Sequence, residues 1–225
     1  MRSALCLLGA VALVAAAPTK VQPRVTCVDG LYIIVARGST EDPGEGTLMV
    51  VADAVEAQVP NSLSVAVDYP ATIFGSGTYV NSVIEGITNA KSLITAYVDT
   101  CGSASKIALL GYSQGGNVLT DVLAAGVAKP DPLGTEYTQY IKGVAVFGDP
   151  TFTVGQSFDV GNATKSGIFS RGGDSLAMLN TYADVLQSYC MVHDPVCAFG
   201  DDLDVHYAEV STFAAAAVTF LASKA

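Results

Sequence analysis

The chain has 225 residues, 50% of them hydrophobic and 14% charged, with 21 acidic against 11 basic side chains and a net charge of −10. That length suits one domain around a single core, and the composition excludes a disordered chain. The acidic balance argues against nucleic acid or an anionic lipid surface as a partner.

Arg2 precedes an apolar run over residues 4–17 that ends in small residues. This has the form of a secretory signal peptide, residues 1–17, cleaved near Ala16 or Ala17. The run is shorter than the roughly 20 apolar residues a membrane span needs, and no second stretch reads as a span. Residues 18–225 are expected to form one secreted, extracellular domain. Cys6 falls in the leader, and Cys27, Cys101, Cys190 and Cys197 remain. Four cysteines in a secreted chain imply disulfides with three conceivable pairings. Proximity points to a local Cys190–Cys197 bridge, which leaves Cys27 for Cys101. Neither pair has the C-x-x-C spacing of a zinc site, so no metal is expected.

Residues 31–36 are a continuous apolar run and read as a buried strand. Residues 37–46 hold Gly, Pro, Ser and Asp and read as a loop. Residues 47–59 carry apolar side chains at helical spacing until Pro60 stops them. A second strand is expected at 64–68 and a long helix at 79–100. A third strand at 106–110 leads into a helix at 115–128. A fourth strand follows at 141–147, a shorter fifth at 184–189 and an alanine-rich helix at 206–223. Strands alternating with helices imply right-handed crossovers and a parallel sheet covered on both faces. The fold class is therefore α/β, a single doubly wound parallel sheet.

The stretch Gly111-Tyr112-Ser113-Gln114-Gly115 lies between the third strand and the next helix. Glycines two residues either side of a serine let strand and helix approach closely and hold the hydroxyl up on a strained turn. A serine hydroxyl needs a base to take its proton, and the chain has two histidines, His193 and His206. The hydrolase order Ser, acid, His is met by Ser113, Asp194 and His206. His206 is expected in a loop just before the last helix. His193 is the rival base, disfavoured because it adjoins Asp194 in sequence. Asp149 is the rival acid, with a turn-forming role in Gly148-Asp149-Pro150 as its plainer explanation. Donors for a developing oxyanion are sought in the backbone N–H of Gln114 and in Ser39, within Arg37-Gly38-Ser39-Thr40 after the first strand.

Ala36-Arg37-Gly38-Ser39-Thr40, Gly111-Tyr112-Ser113-Gln114-Gly115, Tyr189-Cys190 with Asp194-Pro195-Val196-Cys197, and His206 together resemble the fungal cutinase and acetylxylan esterase family, across essentially the whole mature chain. The resemblance implies a small lidless α/β-hydrolase and a secreted serine esterase acting on a plant cell-wall polymer or a small ester. It implies the triad Ser113, Asp194 and His206, an oxyanion hole from Ser39 and Gln114, the bridges Cys27–Cys101 and Cys190–Cys197, no cofactor and a monomer. Gly148-Asp149-Pro150, Gly155, Val160-Gly161, Arg171, Tyr69-Pro70 and Asn81-Ser82-Val83 with Gly86 resemble the acetylxylan esterases. Ser39 and the cysteine count resemble the cutinases.

The segment before His206 carries Asp201, Asp202 and Asp204. These carboxylates would interrupt an apolar grip on a long acyl chain, so short acyl esters are expected to be favoured, with cutin polyester as the alternative. They would also favour protonated His206 and depress activity in acid. Asn162-Ala163-Thr164 is an N-glycosylation sequon. A non-catalytic secreted binding or elicitor protein on the same fold is the alternative of another class. A lipase is disfavoured by the lack of a long amphipathic insertion.

Overall fold

Every residue of the first strand is buried, and alternate side chains enter two different cores. A computed structural model describes residues 25–126 and 129–225, so the signal segment lies outside the described residues. The elements in chain order are β1 (Tyr32–Ala36), α1 (Met49–Gln58), β2 (Leu63–Ala66), α2 (Tyr79–Cys101), β3 (Ile107–Tyr112), α3 (Gln114–Ala124), α4 (Thr135–Thr138), β4 (Ile141–Phe147), β5 (Asp159–Gly161), α5 (Gly173–Asn180), β6 (Leu186–Cys190) and α6 (Leu203–Ala222). The six strands form one sheet in the order β2-β1-β3-β4-β6-β5, and each adjacent pair is parallel.

The two-residue period of a strand sends alternate side chains to opposite faces. Ile34, Leu109, Val144 and Val146 meet Val83, Ile87, Ile94 and Val118 of α2 and α3 in one core. Ile33, Val35, Leu110 and Phe147 meet Val51, Val55, Val210 and Leu221 of α1 and α6 in the other. Helices on both faces explain why these strands read as unbroken apolar runs.

The sheet order reverses between β1 and β3. The chain leaves β1 outward to β2 and then returns to the opposite side of β1 as β3. Ligands bind in the crevice outside the carboxyl ends of strands at such a switch point. The loop after β1 and the turn after β3 meet there. The described chain has a Cys27–Cys101 bridge joining the segment before β1 to the end of α2, and a Cys190–Cys197 bridge closing a short loop after β6.

Helix α3 ends at Ala124 rather than at 128, because Ala125 turns to φ 56°, and residues 127–128 lie outside the described residues. Other features differ from the sequence reading as well. Strand β3 continues to Tyr112. Helix α6 begins at Leu203, because the Asp202 side chain accepts from the Asp204 N–H and caps it, and so His206 lies in its first turn rather than in a loop. β5, α4 and α5 carry no apolar run long enough to announce them. Among the described residues, α6 is also long and apolar enough by length and composition to cross a membrane, although its Val210, Ala217, Val218 and Leu221 are buried against the sheet.

Candidate active site

Ser113 caps the N-terminus of α3 at φ 53° and ψ −118°. A non-glycine residue held there costs on the order of 1–3 kcal/mol. The turn survives because its surroundings leave no alternative. Ser113 N–H donates to Phe147 O at 2.8 Å. At Gly115 a Cβ would lie 1.9 Å from Ala36 O, so only glycine lets α3 start this close to β1.

The His206 ring bridges two elements. Its Nε2 lies 3.0 Å from Ser113 Oγ, and its Nδ1 lies 2.7 Å from Asp194 Oδ2. With Asp194 ionised, Nδ1 carries the proton, which leaves Nε2 to accept from the serine hydroxyl. Tyr112 stacks on the imidazole at 5.2 Å between centroids and donates its hydroxyl to His206 O at 3.2 Å. Gly148 lies on the other side, at φ 58°, where a Cβ would come within 2.6 Å of His206 Cε1.

Asp194 is fully buried inside the loop closed by the Cys190–Cys197 bridge. Its Oδ1 accepts from Val196 N–H at 2.6 Å and Cys197 N–H at 3.0 Å. Burial alone would raise its carboxyl. The hydrogen bond and charge of His206, with those two N–H groups, outweigh burial and hold it below the usual carboxylate range. The rival residues are occupied elsewhere. His193 is exposed and pairs with Asp201 at 3.1 Å. Asp149 is buried and accepts from Thr120 and Thr151.

The loop after β1 is braced from three sides. Arg37 donates through Nη2 to Tyr69 O at 2.6 Å and through Nε to Glu41 O at 2.9 Å. The Glu41 carboxylate accepts from Gly38 N–H and Thr47 N–H. This presents Ser39 in the same cavity as Ser113 and His206. Gln114 is pinned by its side chain, which donates to Thr72 O and accepts from Ser82 Oγ. The Ser39 and Gln114 N–H groups have no acceptor among the described residues.

The cavity holds about 400 Å³ and is walled by Ile73, Phe74, Leu203 and Tyr207. These four side chains are exposed, so the rim is apolar. Asp201, Asp202 and Asp204 are also exposed but do not line it. Asp201 pairs with His193, and Asp202 caps α6. The expectation that these three carboxylates interrupt an apolar grip on the acyl chain therefore has no basis in the geometry.

The profile described as Cutinase matches residues 27–225. The chain belongs to the cutinase family. It is 32% identical over 207 residues to acetylxylan esterase 2 of Talaromyces purpureogenus, covering 86% of each chain. It is 28% identical over 235 residues to cutinase 11 of Verticillium dahliae, covering all of this chain and 77% of that one. Its fold matches the solved catalytic core domain of acetyl xylan esterase from Trichoderma reesei with a TM-score of 0.79 and 27% identity, over 87% of this chain and 98% of that one. Like its relatives in the cutinase family, the chain is a carboxylic ester hydrolase.

Sequence reasoning did not find Tyr112, Gly148 or Glu209. Tyr112 sits inside the serine motif and Gly148 directly after an apolar strand, but their contacts with His206 arise only when β3, β4 and α6 come together. Glu209, one turn after His206, is fully buried. It accepts from Met191 N–H at 2.6 Å beside the Cys190–Cys197 bridge.

Proposed function

We propose that Ser113 is the nucleophile of a serine esterase, His206 its base and Asp194 the acid that orients the base. Ser113 Oγ attacks the ester carbonyl while His206 Nε2 takes its proton. The carbonyl oxygen becomes an oxyanion facing the N–H groups of Ser39 and Gln114. The C–O bond to the alcohol breaks as His206 returns the proton to the leaving oxygen. Water then adds to the acyl-enzyme by the same route and releases the acid and free Ser113. The observation that carries this reading is the unbroken run of contacts from Ser113 through His206 to Asp194, at 3.0 and 2.7 Å.

The substrate we favour is a short acyl ester on a hydrated plant cell-wall polysaccharide, as on acetylxylan. Support comes from likeness to the acetylxylan esterases in sequence and fold. The enzyme would be secreted and monomeric, without a cofactor, in a mature chain of residues 18–225. It would carry a glycan on Asn162, which is exposed and accepts through Oδ1 from Val192 N–H. The apolar rim of Ile73, Phe74, Leu203 and Tyr207 favours a second reading, in which longer acyl chains of a cutin-like polyester lie along it. Hydrolysis of p-nitrophenyl esters from acetate to palmitate separates the two. Fastest turnover of acetate supports the acetylxylan reading, and fastest turnover of the long chains replaces it with the polyester one.

A further inference from the structure

A second and larger cavity, about 750 Å³, adjoins the catalytic one. That volume lies within the roughly 300–1,000 Å³ of ligand sites. The two cavities share Phe74, Tyr79, Ile168 and Phe169. The partition is aromatic: Phe74 meets Phe169 edge to face at 5.0 Å and Tyr79 at 5.9 Å. Phe74 is 60% and Phe169 37% exposed, so ring surface is available to a ligand crossing from one cavity to the other.

The floor of this cavity is charged. Arg171 Nη2 and Lys129 Nζ each lie 2.7 Å from a different oxygen of one carboxylate, that of Asp121. Two cations therefore share one anion. Asp121 is the sole acidic residue among those lining the cavity. Asp149 lies behind Thr120 and Thr151, whose hydroxyls donate to its carboxylate, and it does not line the cavity. The cavity lining thus carries two cations and one carboxylate in a chain whose net charge is −10. The Arg171 terminal nitrogens are already bonded to Ala125 O, Ser175, Thr120, Asp121 and Thr151. The Lys129 ammonium makes one hydrogen bond among the described residues, and an ammonium has three protons to donate.

On the polysaccharide reading above, we propose that this cavity is a sugar subsite that takes a carboxylate-bearing residue of the polymer whose ester is cleaved at Ser113. The carbon face of the sugar packs on Phe74 and Phe169 as apolar surface does. Its carboxylate accepts from Lys129 and feels the charge of Arg171 behind it. Asn117, Thr151 and Ser175 line the same floor and can meet sugar hydroxyls.

The test compares two acetylated xylo-oligosaccharides, one neutral and one with a glucuronic acid branch, with p-nitrophenyl acetate as an ester too small to reach the second cavity. Wild type, Lys129→Gln and Gly172→Phe are assayed on all three. Gly172 lines the cavity, and a Cβ there meets nothing within 4 Å, so the larger side chain fills the cavity without a clash at its root. The wild type is expected to prefer the acidic oligosaccharide. Lys129→Gln should raise its KM and remove about tenfold of kcat/KM on that substrate alone, the size of one charge-assisted contact. Gly172→Phe should slow both oligosaccharides and spare p-nitrophenyl acetate. Turnover of both oligosaccharides with equal kcat/KM in wild type and Lys129→Gln overturns the subsite while leaving the polysaccharide reading intact. Turnover of p-nitrophenyl acetate with neither oligosaccharide overturns both.

Discussion

Replacing Glu209 with glutamine should make the protein more stable in neutral solution than in acid, relative to wild type. Glu209 has no exposed surface, and its Oε2 finds no partner among the described residues. Burial pushes its carboxyl from 4.5 up to about 8, with a further push from the Asp194 charge, against the Met191 N–H that favours the anion. Between those two values the folded chain keeps a proton that the unfolded chain releases. Stability from this group is thus intact below about pH 4.5, falls as pH rises, and levels off above about pH 8. The slope is about 1.4 kcal/mol per pH unit, so moving from about pH 5 to about pH 7 costs wild type on the order of 3 kcal/mol. Glu209→Gln cannot ionise and keeps an oxygen for Met191 N–H, so it should not pay that slope. Urea unfolding of both proteins at several pH values reads it directly, because titrations common to both cancel in the difference. A difference in stability that stays constant from pH 5 to pH 8 would refute a neutral, buried Glu209.

Gly148→Ala should leave the protein folded but lower kcat at least about tenfold, because its Cβ would press on His206 Cε1 and a misplaced base costs rate steeply. Steady-state kinetics beside a circular dichroism spectrum check both halves. Replacing Cys27 and Cys101 with alanine should cost about 2–5 kcal/mol, since that bridge closes a separation of 74 residues. Activity of the folded fraction should be unchanged, because the bridge lies at the end of the sheet away from Ser113.

Some of this architecture is plain in the sequence, because burial on both faces of a parallel sheet writes apolar runs. β4 (Ile141–Phe147) was expected with the bounds it has, and β1 and β3 within two residues at either end. β5 is three residues long, includes Asp159 and Gly161, and sits at the sheet edge, so no run marks it. The start of α6 is hidden in the sequence because Asp202 reads as one of three acidic residues in a segment before His206, whereas its carboxylate serves as a helix cap. Ser113, Asp194 and His206 could be picked out by chain order, and the fold brings them into one run of contacts. Tyr112, Gly148 and Glu209 are different in kind. Each matters through a neighbour more than 15 residues away or through a packed face, and pattern along the chain carries no trace of that. The second cavity is less legible still, because loops and three helices contribute to its lining.

Activation of Ser113 by His206 and Asp194 can be read on the serine itself. The most direct measurement is intact mass after treatment with a fluorophosphonate, for wild type, Ser113→Ala and His206→Ala. One adduct is expected on wild type, mapped to Ser113, none on Ser113→Ala, and labelling slowed by at least about 10³-fold on His206→Ala. Equal labelling of wild type and Ser113→Ala, or an unlabelled wild type that still hydrolyses p-nitrophenyl acetate, would contradict it.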